Sequence, residues 1–197
     1  MTSNIAFYHW EVTPLHYPAV LRNCPKCGTA SNFYPSGKFR INAQQKNLDV
    51  WLIYLCEKCQ TSWNMTILSR VKPGEIPPES YLKYLSNDFE AALQCSFNHE
   101  LLRRNGAHAV FDNVDFEITG DPVPAKGREA VLEIHTDYDM ELRLDKLLSV
   151  GLGISRSRVN RMFADGQIQN GKSGKGGKAR LASTVQLRLE SWDFIDL

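Results

Sequence analysis

The chain has 197 residues, of which 43% are hydrophobic and 23% charged, enough apolar material for a buried core. No run of about 18 apolar residues occurs, so no helical membrane span is expected, and the first residues lack the order of a signal peptide, so a cytoplasmic location is expected. The net charge of +1 hides a segregation: residues 1–72 carry +5, residues 73–142 carry −9 and residues 143–197 carry +5, so a basic end can meet phosphate while the acidic middle shields it or packs against it.

Residues 5–12 alternate and predict a first strand. The stretch Cys24-Pro-Lys-Cys-Gly28 reads as a tight turn. Residues 38–43 and 48–55 are rich in β-branched and aromatic side chains and predict two strands, with Gln44 to Asn47 as the turn between them. A second turn follows at Cys56-Glu-Lys-Cys59, then another strand over 62–71. Pro73, Gly74, Pro77 and Pro78 break the chain. Leu82, Leu85, Phe89, Leu93, Phe97 and Leu101 recur at spacings of three and four, which predicts helix over 79–105 with one apolar stripe. Asn87-Asp88 is a point where it can divide, and Gly106 is its stop. Residues 109–118 and 129–136 read as strands around the loop 120–127. Two short helices are expected over 143–152 and 155–165, the second capped by Ser155. Residues 167–170, 179–182 and 185–190 have strand character.

Five cysteines are present. An odd count without an export signal argues against a disulfide framework. Cys24, Cys27, Cys56 and Cys59 form two Cys-x-x-Cys pairs separated by a predicted hairpin. Thiolates at i and i+3 of a tight turn can grip one metal, and two such turns complete a tetrahedral shell of four sulfurs. Zinc is the expected cofactor. With no open position the ion would serve folding, and Lys26 and Lys58 inside the turns would partly offset its −2 shell. Cys95, on the predicted helix, is expected to be a buried small hydrophobe. Trp51, Tyr54 and Trp63 are expected to form the small core beside the turns. His9, His16, His99, His108 and His135 show no metal-ligand spacing in sequence and are expected to be surface or packed histidines. Asp112, Asp115, Glu117 and Asp121 do not match an EF-hand and are expected to form a solvated face.

The basic end reads Arg143-Leu-Asp-Lys146, Ser155-Arg-Ser157, Gly166 and Asn170-Gly171. In this it resembles the small RNA-binding domain first named for the fourth protein of the ribosomal small subunit. The resemblance covers about the last 50 residues and implies contact with structured RNA, ribosomal or transfer, through helix faces. Candidate contacts are Arg143, Lys146, Arg156, Arg158 and Arg161, with Lys172, Lys175 and Lys178 in a glycine-rich loop. That loop departs from the family, which often has a proline-containing turn there, and its Gly-Lys pairs do not have P-loop spacing. Most of the chain is also similar to an uncharacterised bacterial family, domain of unknown function ten-sixty-two. The matching stretches are Cys24-Pro-Lys-Cys-Gly28, Lys38-Phe-Arg-Ile-Asn-Ala43, Leu48-Asp-Val-Trp-Leu-Ile53, Cys56-x-x-Cys59 and Trp63-Asn64; this resemblance implies no activity.

The expected architecture is α+β. It has an N-terminal antiparallel zinc ribbon over 1–72, a helix and β-hairpin connecting region over 73–140, and a C-terminal αα-β RNA-binding-like module over 141–197. The expected function is non-catalytic binding of structured RNA, because no nucleophile–base pair or open metal site is visible. The competing expectation is an adaptor that binds a protein partner through ribbon and helix.

Overall fold

The structure is a computed structural model that describes residues 5–44, 46–111, 114–122, 129–171 and 176–190. It is α+β, and its chain forms two compact units, Leu15–Asp115 and a second one made of residues up to Pro14 together with those from Phe116 onward. This division differs from the three consecutive stretches expected.

In the unit Leu15–Asp115, the strands are β2 (Ala19–Cys24), β3 (Thr29–Gln44), β4 (Asn47–Cys56), β5 (Ser62–Val71) and β6 (His108–Val110). They form one antiparallel sheet in the order β5-β4-β3-β2-β6. Strand β4 shows why it forms: Leu48, Val50, Leu52, Tyr54 and Cys56 alternate inward while the residues between them stay half-exposed. Val20, Phe33, Leu52 and Met65 pack with Ala92, Leu101 and Leu102 from the helices to make the core.

The helical stretch is not one helix but three: α1 (Pro78–Ser86), α2 (Phe89–Phe97) and α3 (His99–Arg104). The breaks are local polar chemistry. Asn87 takes the left-handed conformation, φ 54°, and ends α1. Asp88 then accepts from the backbone N–H of Ala91 at 2.8 Å and starts α2. Asn98 accepts from Leu101 N–H at 2.9 Å and starts α3. The expected stripe splits accordingly. Leu93, Phe97 and Leu101 are buried, whereas Leu82, Leu85 and Phe89 are 63%, 54% and 52% exposed.

The second unit has strands β1 (Ala6–Pro14), β7 (Phe116–Gly120), β8 (Ala130–His135), β9 (Ile168–Asn170) and β10 (Thr184–Leu189), and helices α4 (Leu144–Gly151) and α5 (Arg156–Ala164). Their sheet runs β7-β1-β8-β10-β9, with β1 parallel to β8 and every other pair antiparallel. Trp10, Val12, Leu132, Ile134, Leu187 and Leu189 are buried with Leu144, Leu147, Leu148, Val159 and Met162 of the helices. Gly151 lies against the Trp10 ring so closely that a Cβ there would collide.

Three expectations change here. Strand β1 belongs with the chain's C-terminal part, not with the cysteine turns, because its inward residues Trp10 and Val12 complete this second core. The stretch 109–118 is two strands in different sheets, β6 beside β2 and β7 beside β1. Residues 179–182 form no strand; Arg180 alone bridges to Arg143.

Candidate metal centre and basic helix surface

The β3–β4 hairpin carries Cys56 opposite Phe33, and the β2–β3 pairing sets Cys24 opposite Thr29. Both cysteine turns therefore reach the same end of the sheet. Glu57 N–H donates to the Asn32 carbonyl at 2.9 Å and ties the second turn to β3, the strand that follows the first. The sulfurs of Cys24, Cys27, Cys56 and Cys59 all lie within 4.8 Å of one another, an arrangement compatible with a metal site. Cys24 to Cys59 is 3.5 Å and Cys27 to Cys56 is 4.0 Å, far longer than a disulfide of about 2.05 Å. Cys24 and Cys56 are buried, Cys27 and Cys59 half-buried.

The two turns share a backbone design that only half shows in the sequence. In each, the N–H one residue past the second cysteine donates back to the carbonyl of the first: Gly28 to Cys24 at 2.9 Å and Gln60 to Cys56 at 2.9 Å. Both closing residues sit in the left-handed region, Gly28 at φ 68° and Gln60 at φ 61°. Glycine does this freely. Gln60 does it at a cost of about 1 kcal/mol, and its Nε2 donates to the Cys56 carbonyl at 3.1 Å. Cys27 N–H points at Cys24 Sγ, 3.4 Å away.

The thiols are not electrostatically equivalent. Cys59 Sγ lies 3.2 Å from the Thr61 hydroxyl. That hydroxyl and the Thr61 backbone N–H favour its thiolate and draw it down to about 6. Cys27, hydrogen-bonded to Cys59, is pushed up to about 12. Four sulfurs this close cannot all ionise cheaply unless a cation lies among them. Cys95 is elsewhere, on α2 in the helical layer, and its burial pushes it up to about 12. Tyr54 is buried with its hydroxyl 3.4 Å from Ser96 Oγ, and Trp63 packs on it with ring centroids 5.0 Å apart. Trp51 is half-buried. Arg22 lies over the Trp63 ring at 3.9 Å.

The basic residues take several roles. Arg158 and Arg161 are exposed on α5, Lys178 is exposed on a short 3-10 turn, and Lys146 is half-buried on α4, 5.8 Å over the Phe116 ring. Arg143 and Arg156 hold Asp145, the third residue of the Arg143-Leu-Asp-Lys146 stretch. Asp145 is 1% exposed and accepts from Arg143 Nη2 at 2.6 Å, Arg156 Nη2 at 2.8 Å and Asn160 Nδ2 at 3.2 Å. Burial works to raise its carboxyl pKa, but these donors outweigh burial and hold it below the usual carboxylate value. Arg143 and Arg156 are thus partly structural. Asp112, Lys172 and Lys175 lie outside the described residues, as does most of the expected loop 120–127.

A family described as "Protein of unknown function (DUF1062)" matches residues 41–173, a span that holds Cys56, Cys59, α4 and α5, with Cys24 and Cys27 ahead of it. No curated protein matches the chain, and no solved structure does. Among the described residues no helix is long and apolar enough to cross a membrane.

Proposed function

The chain belongs to the DUF1062 family, and from its residues we propose a non-catalytic, cytoplasmic zinc-ribbon protein that binds structured RNA, ribosomal or transfer, through α4, α5 and the turn beside them. Zinc is held by Cys24, Cys27, Cys56 and Cys59. With Zn–S bonds of about 2.3 Å, the edge of a four-sulfur tetrahedron is about 3.8 Å. The observed sulfur separations of 3.5 and 4.0 Å straddle that value. An iron–sulfur cluster, with sulfides of its own, would hold its cysteines further apart. The ion fixes the two turns and leaves no open position for chemistry.

The RNA reading is carried by one observation. Arg156, Arg158, Arg161 and Lys178 are all exposed on two neighbouring elements, α5 and the Gly176–Lys178 turn. Such an array meets phosphates by shape and charge. The test is a gel titration with structured ribosomal RNA fragments at several salt concentrations. The substituted protein carries Lys146→Ala, Arg158→Ala and Arg161→Ala, which spares the Asp145 network. Wild type is expected to bind with a steep salt dependence, and the triple variant with a slope flatter by about one for each phosphate it no longer neutralises. Equal affinity and slope for the two proteins would contradict the assignment.

A second reading has its own observation. Leu82, Leu85 and Phe89 give α1 and the start of α2 an exposed apolar strip, which suits an adaptor for a protein partner. That reading expects no salt-sensitive RNA binding by wild type.

A further inference from the structure

The parallel pairing of β1 with β8 brings together side chains about 120 positions apart. Its register sets His9 beside Glu133 and Glu11 beside His135, all on the face away from Trp10 and Ile134. Two imidazoles and two carboxylates thus alternate on one sheet face. Asp137, just past the end of β8, adds a third carboxylate. One ligand atom from each of Glu11, His135 and Asp137 lies within 4.8 Å of the other two, with His135 Nε2 3.2 Å from Asp137 Oδ1. Donors about 2.1 Å from a shared ion sit about 3.0–3.4 Å apart at octahedral or tetrahedral angles, so this edge already has the right length.

Two further features point to a cation. His135 Nδ1 is 2.9 Å from the Thr184 hydroxyl on β10. That contact orients the ring and turns Nε2 toward the carboxylates, the arrangement of a metal-binding histidine held from behind. The second feature is the charge among the described residues. Among the described residues Glu11, Glu133 and Asp137 pair with no Lys or Arg; their ion-pair partners are His9, at 3.7 Å from both Glu11 and Glu133, and His135.

We infer that Glu11, His135 and Asp137 form a second metal site, for a divalent first-row transition ion bound through one imidazole nitrogen and two carboxylates, with its other positions open to water or to His9. The donors are imidazole and carboxylate, which suit manganese, iron or zinc, whereas the four thiolates elsewhere select softer ions. Manganese is therefore the discriminating probe.

The experiment is a Mn²⁺ titration of the full, purified chain followed by electron paramagnetic resonance, in which bound Mn²⁺ loses the free-ion signal. One Mn²⁺ per chain is expected. His135→Asn and, separately, the more exposed Asp137→Asn should each weaken binding at least tenfold. Thr184→Val should weaken it about tenfold by releasing the ring. No bound Mn²⁺ at millimolar concentration, or unchanged affinity in both His135→Asn and Asp137→Asn, would overturn the inference.

Discussion

At the scale of single residues, the cysteine turns and the α4–α5 pair depend on groups that look ordinary in the sequence. Gln60 stands where the first cysteine turn has Gly28, and both hold the same left-handed backbone. Replacing Gln60 with valine, whose branched side chain fits that conformation poorly, is expected to cost about 1–2 kcal/mol and to weaken metal retention; chemical denaturation and metal content check this. Asp145 is the second such residue. Its folded pKa is depressed, so the stabilisation it gives is complete above the unfolded value of about 3.9 and is lost as pH falls through the lower folded value. Asp145→Asn is expected to lose about 2–3 kcal/mol at neutral pH, moderated because Arg143 and Arg156 can turn to solvent. It should also flatten the loss of stability below about pH 4. A variant as stable as wild type at pH 7 would remove Asp145 from its central place in the α4–α5 pair.

At the scale of elements, a glycine in the Gly176–Lys178 turn has a packing reason. Gly177 is buried, and a Cβ there would sit 2.6 Å from Asn160 Oδ1 and 3.2 Å from Asp145 Cβ. The turn can close over the Asp145 network only without a side chain. Gly177→Ala is expected to cost about 1–3 kcal/mol, measured by thermal or urea unfolding.

The same scale shows what the sequence makes legible. Strands β4 and β5 are rich in β-branched and aromatic residues, with strict alternation in β4 alone, and helix α5 follows from its Ser155 cap. The four cysteines that come together at one sheet end were legible for the same reason, since each pair is local and a hairpin suffices to join them. What was hidden depends on distant pairing. Strand β2 is short and follows Pro18, with a weak pattern of its own. Strand β1 gives no sign that its partner is β8. Within 79–105 the break at Asn87-Asp88 is legible, but the apolar stripe conceals the second Asx cap, at Asn98, that starts α3. Glu11, His135 and Asp137 could not be grouped without the β1–β8 register, and Asp145 read as part of a motif while its burial was invisible.

For the whole molecule, the chain leaves the unit that holds β1 after Pro14, builds Leu15–Asp115, and returns to it at Phe116. The inserted unit has a core of its own around Val20, Phe33, Leu52, Met65, Leu101 and Leu102. Its cysteine end is where the proposed ion would add most, because structural zinc sites contribute on the order of 10–16 kcal/mol of binding energy to folding. The measurement that bears most directly on this account is zinc K-edge X-ray absorption on the full chain, dialysed free of loosely held ions. Four sulfur neighbours at about 2.3 Å are expected, from Cys24, Cys27, Cys56 and Cys59. A dialysed, reduced protein that retains no zinc, or zinc bound chiefly by nitrogen and oxygen, would contradict it.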